Sequence, residues 1–156
     1  MVLYTDSEYP IRDDIDTIHS NQLDQLGKPG TWGTATQRLA IAQEVRNASY
    51  DAGLQELPEK ESSRSSTNLP DIVREVVQKL AVSPNDYLED TYDKATKNGL
   101  SDEEYVEIVG IVSRLACMDI FARGIGVPLR PLPEPQEGEP SRRRPVTAKK
   151  EMAWVP

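Results

Sequence analysis

The amino-acid sequence predicts an all-α fold of four to five helices followed by a long proline-rich arm. Three observations carry this. Two capping boxes, Thr34 with Gln37 and Ser101 with Glu104, each stand directly before an apolar series with helical period. A third apolar series, Ile72 to Leu80, follows a proline suited to a first helical turn. From Val127 onward prolines recur at 128, 131, 133, 135, 140 and 145, a density that no helix interior tolerates.

Residues 1–32 are polar and lack a clear period, so they form a separate N-terminal segment in this reading. Leu23 and Leu26 support at most a short helical turn before Gly27, Pro29 and Gly30 break it. The helical domain spans residues 33–126. Its first helix is expected from Thr34 to Leu54, with Leu39, Ala40, Ile41, Val45 and Ala48 as the apolar stripe. Gly53 weakens the end of that helix and Pro58 stops it. Residues 59–68 are too polar to pack and are expected to form a loop.

In the next helix Ile72, Val73, Val76, Val77 and Leu80 share one face. Ser83 and Pro84 suit the cap and first residue of a further helix, running to about Lys97. Asn98-Gly99 is its stop, suited to left-handed backbone. The longest helix opens at Ser101 and runs to about Arg123. Its apolar positions cover a broad face, from Tyr105 through Ile108, Val112 and Leu115 to Phe121, so it is expected to be the most buried helix. Val109, Ile111 and Val112 have strand propensity, but the capping box and sustained period favour helix. Gly124 and Gly126 end it. Residues 127–156 are expected to be an extended, polyproline-like arm or linker. Trp154, near its end, suggests either a docking end or a chain that continues onward.

Composition narrows the function classes. The 156 residues carry a formal charge of −8, which argues against a nucleic-acid partner. Arg142, Arg143, Arg144, Lys149 and Lys150 are a local exception, expected to be a solvated basic tail. One cysteine makes no internal disulfide and favours a reducing compartment. Acidic residues interrupt the N-terminal region before any signal-peptide length is reached, and no apolar run approaches a membrane span. A cytoplasmic protein without cofactor or metal is the expectation. Asn47-Ala48-Ser49 fits a glycosylation pattern, discounted because it falls within a helix.

The stretch Trp32-Gly-Thr-Ala-Thr-Gln-Arg-Leu-Ala-Ile-Ala-Gln-Glu-Val-Arg-Asn-Ala48 resembles an early helix of the alkylhydroperoxidase D-like (AhpD-like) group, within the carboxymuconolactone decarboxylase superfamily. Leu69 to Val73 and Gly99 to Gly110 add to that resemblance, which covers roughly residues 30–126. It implies an all-α fold that assembles as homo-oligomers. It also implies, for peroxidase members, a Cys-x-x-Cys pair with an upstream glutamate and nearby histidines. A resolving thiol one turn from the nucleophile must capture the sulfenic acid as a disulfide. Here Ile120 and Arg114 occupy the positions three after and three before Cys117, and the only histidine, His19, is remote in sequence. The dithiol chemistry is therefore expected to be lost.

Three residues remain candidates for chemistry. Glu107 is either a proton relay or a carboxylate at the rim of its helix, paired with Arg114 or a neighbouring helix. Cys117 is either a lone nucleophile tuned by Arg114 or a small buried hydrophobe. Asp119 is either a site residue by its family position or half of a helix ion pair with Arg123. Two functions from different classes follow. One is a structural or oligomerisation module, standing alone or as part of a longer protein. The other is a one-cysteine hydroperoxide reductase using Cys117 and an external thiol. A protein partner recruited by the proline arm is the remaining expectation.

Overall fold

Helices account for all the regular structure in residues 3–56 and 67–149, which are the residues described by the computed structural model. They are α1 (Asp13–Leu26), α2 (Ala35–Asp51), α3 (Asp71–Val82), α4 (Glu89–Lys97) and α5 (Asp102–Gly124), with one 3-10 turn at Pro84–Asp86. No strand forms among the described residues.

Both capping boxes are made as the residue spacing predicts. Thr34 and Gln37 exchange side-chain and backbone bonds at the start of α2, and Ser101 and Glu104 do the same for α5. Gly99 and Gly126 take the positive φ angles (97° and 76°) that terminate α4 and α5. Ser83-Pro84 departs from expectation. It starts only the 3-10 turn, and the chain is extended at Tyr87 and Leu88 before α4 begins. The aromatic cluster explains the break. Tyr87 and Tyr92 both turn inward onto Tyr105 of α5, with ring centroids 5.5 and 5.0 Å from it.

α2 packs chiefly against α3 and α5, and α1 lies against α2 and α5. The main core joins Val45, Val76, Val77, Ile108, Ile111, Leu115 and their neighbours. α2, not α5, is the most enclosed helix. Ten of its 17 residues are buried, against eight of 23 in α5. The reason is polar: Arg38, Glu44, Arg46 and Asn47 of α2 are buried, the first three served by partners from other segments and Asn47 by Gln43 within α2. Glu44 accepts from Thr67 Oγ1 (2.6 Å) and Gln78 Nε2 (2.7 Å), which links α2 to the segment before α3 and to α3 itself.

α1 is a full helix where residues 1–32 promised only a turn. Its inward face carries Asp16 and His19 as well as Leu26, while Ile18 points to solvent. Asp16 accepts the backbone N–H groups of Leu3 (2.8 Å) and Tyr4 (3.1 Å). Tyr4 Oη is hydrogen-bonded to His19 Nδ1 at 2.8 Å, and both rings pack on Phe121 of α5. Leu3, Tyr4, Ala122, Val127 and Leu129 form a second, smaller core there.

Residues 127–149 contain neither helix nor strand; most are exposed, and backbone bonds tie the segment to the α1–α2 connection. Gln136, Ser141 and Arg142 donate their backbone N–H groups to the carbonyls of Gly27, Gly30 and Thr31. Arg130 reaches Leu3 O and Asp6. The basic residues expected to be a solvated tail are partly engaged. Arg144 pairs with Glu103, and the Arg142 guanidinium sits over the Trp32 ring. Lys150 and Trp154, like most of the 59–68 loop, lie outside the described residues. No helix among the described residues is long and apolar enough to cross a membrane.

Candidate functional site

Glu107 sits one and a half turns into α5, facing the connection between α1 and α2. Its Oε2 accepts the backbone N–H groups of Trp32 (2.7 Å) and Gly33 (2.9 Å). Its Oε1 lies 3.0 Å from Arg38 Nε. Arg38 in turn donates to the carbonyls of Gln25 (2.8 Å) and Lys28 (2.6 Å). The carboxylate and guanidinium together bind the 25–33 connection onto α5. Burial lowers the Arg38 guanidinium below its ordinary pKa, opposed by Glu107 and reinforced by the charge of Arg114. Gly30 is required here, because a Cβ at that position would meet Glu107 Oε1 at 1.7 Å. Of the two partners expected for Glu107, Arg114 or a neighbouring helix, the structure supplies the second, as Arg38 of α2.

An open groove of about 590 Å³ lies along this clamp. Trp32 and Arg38, then Val106, Gly110 and Arg114 of α5, and Arg143 with Arg144 from the C-terminal segment are among its lining residues. Arg144 Nη1 meets Glu103 at 2.5 Å. The Glu103 carboxyl is held below the usual carboxylate range, first by its own backbone N–H and then by Arg144. Arg114 and Arg143 are exposed and have no carboxylate partner among the described residues.

Asp119 is elsewhere. It faces inward and forms a bidentate ion pair with Arg46 of α2, at 2.9 and 2.8 Å. Arg46 also donates to Arg130 O (2.8 Å), and its side chain is 0% exposed against 5% for Asp119. The expected helix pair with Arg123 gives way to this cross-helix pair. The reason is desolvation. An inward carboxylate needs a buried partner, and Arg123 is exposed.

Cys117 is exposed, which corrects the reading of it as a buried hydrophobe. It lines neither the groove nor the Arg46–Asp119 pair. Ten residues of α-helix also separate it from Glu107 by about 15 Å along the axis. The three candidates therefore do not converge on one site. Two are ion-pair centres that tie helices together, and the third is on the surface. His19 is nearer than its sequence position suggests, since it packs edge-on against Phe121 at 5.0 Å, one turn past Cys117. Burial depresses its pKa, with Asp16 opposing, and its Nδ1 is committed to Tyr4.

Sequence reasoning missed Arg38, Trp32, Arg143 and Arg144 as groove residues. The pairing of a buried arginine with a carboxylate 69 to 73 positions away leaves no local trace. No group of three or more His, Cys, Asp or Glu is placed to hold a metal ion among the described residues. Comparisons with protein-family models, with curated proteins and with solved structures find no match to this chain.

Proposed function

We propose that the chain is a redox-silent, AhpD-like helical module whose role is structural and which assembles with copies of itself. One observation carries the redox-silent part. Both carboxylates of α5 that a relay to Cys117 would use are consumed by structural partners, Glu107 by Arg38 and two backbone N–H groups, Asp119 by Arg46. A carboxylate fixed in such pairs cannot pass a proton without releasing a buried guanidinium.

Self-association is supported by the outer stripe of α5. Val106, Gly110, Ser113, Cys117, Ile120 and Gly124 succeed one another at spacings of four and three, and none is charged. Val106 is 50% and Ile120 64% exposed, so the stripe presents two large apolar side chains to solvent. Sedimentation velocity of the full chain tests this. The expected result is an oligomer that Ile120→Lys converts to monomer and that mild oxidation traps through Cys117. A monomer at all concentrations overturns the assembly reading.

The exposure of Cys117 favours one alternative. In that reading the thiolate attacks a peroxide oxygen, the O–O bond breaks, and an alcohol or water departs. The sulfenic acid so formed is then reduced by two equivalents of an external thiol, giving its disulfide and water.

A further inference from the structure

We propose that the groove between the α1–α2 connection, α5 and residues 141–148 is a binding site for a small organic anion, with one oxyanion head on a short apolar body. Four arginines reach this groove. Arg38 and Arg144 are neutralised by Glu107 and Glu103. Arg114 and Arg143 are not, and both line the groove, one from α5 and one from the C-terminal segment. Arg114 is close enough for its charge to oppose that of Arg38. An anion bound at Arg114 offsets that repulsion, and its oxygens can accept forked, charge-assisted hydrogen bonds from Arg114 and Arg143.

The carboxylates of the lining do not fill that role themselves. Glu107 is turned onto Trp32 N and Gly33 N, Glu103 onto Arg144, and Asp102 accepts the Tyr92 hydroxyl at 2.5 Å. This leaves local positive charge on a chain of net charge −8. Pro29, Val106 and Pro145 add apolar surface beside the polar Gln25 and Thr31, and that surface suits a short hydrocarbon or aromatic body. Its volume, about 590 Å³, lies within the range of small-molecule sites. Phosphate monoesters and carboxylates share the head chemistry. The groove shares Val106 and Gly110 with the self-association stripe but includes neither Cys117 nor Ile120, so binding is read in the Ile120→Lys chain as well, where the failure of assembly and the failure of anion binding are distinguishable.

The test follows the Trp32 indole N–H and the Gly110 amide by two-dimensional nitrogen–proton resonance in the full chain. Trp154→Phe identifies the indole signal. Phenyl phosphate and benzoate are the probes, with benzamide as the neutral analogue and inorganic phosphate as the head alone. Expected are saturable shifts at both positions with phenyl phosphate or benzoate, and a loss of affinity of about tenfold in each of Arg114→Gln and Arg143→Gln. The tighter of the two probes assigns the head as phosphate or carboxylate. No saturable shift up to ~10 mM overturns the proposal. So do equal binding of benzamide, equal binding of inorganic phosphate, or unchanged affinity in both arginine variants.

Discussion

Asp119→Leu is expected to be among the most damaging single substitutions in the chain. It removes both carboxylate oxygens from Arg46, whose side chain is 0% exposed and whose remaining bond from Nη2 goes to Arg130 O. Arg46 Nη1 is already buried without a partner. The guanidinium then has no route to water, and a buried charge left unpaired costs about 3–5 kcal/mol. With a urea slope of about 2 kcal/mol/M, the unfolding midpoint falls by about 2 M. The same change combined with Arg46→Met replaces the pair by apolar groups. It leaves Arg130 O short of one donor, a loss of about 1–3 kcal/mol. The double variant is therefore expected to be more stable than Asp119→Leu alone, by roughly 2 kcal/mol. Urea unfolding followed by helical circular dichroism reads both. An Asp119→Leu variant within about 1 kcal/mol of the parent, or strictly additive effects, would refute the reasoning.

Gly30→Ala drives a methyl into Glu107 Oε1, so it is expected to destabilise about as much as Glu107→Gln, and the two together no more than either alone; thermal unfolding of the three variants checks this. Because burial holds the His19 pKa below its ordinary value, the unfolded chain binds that proton first as pH falls. Stability from this residue is complete above about pH 6.5 and declines as pH drops towards the folded value, and His19→Gln flattens that part of the unfolding profile. Leu115→Ala, at a position 0% exposed, is expected to lose about 2–5 kcal/mol by urea unfolding. Arg144→Ala breaks only a partly exposed pair with Glu103, and chemical denaturation should register no more than about 1 kcal/mol.

The helices with strong end signals were legible in the sequence. Thr34 with Gln37 and Ser101 with Glu104 mark the starts of α2 and α5, and Gly99 and Gly126 mark stops, because these are local chemistry read within four residues. α1 was hidden because its inward face is polar. Asp16 and His19 are buried against Leu3 and Tyr4, while Ile18 is exposed, so the apolar period does not report the core side. The three acids Asp13, Asp14 and Asp16 in its first turn were the available clue. On α5 the apolar residues surround most of the helix, and periodicity alone could not tell that Cys117 and Ile120 face outward. The ion pairs were illegible for a different reason. Arg123 is close to Asp119 in sequence, but only Arg46 shares its dehydrated environment. The groove depends on residues 141–148 returning to the α1–α2 connection, a contact between segments more than a hundred residues apart.

The most direct test of the claim that α5 holds the fold and moves no proton is single-turnover hydroperoxide consumption with excess small thiol. The chain, Cys117→Ser and Glu107→Gln are compared. The prediction is one common rate for all three, equal to that of the small thiol alone. Consumption that depends on Cys117, runs well above that background and falls in Glu107→Gln would contradict it and make the chain a one-cysteine reductase.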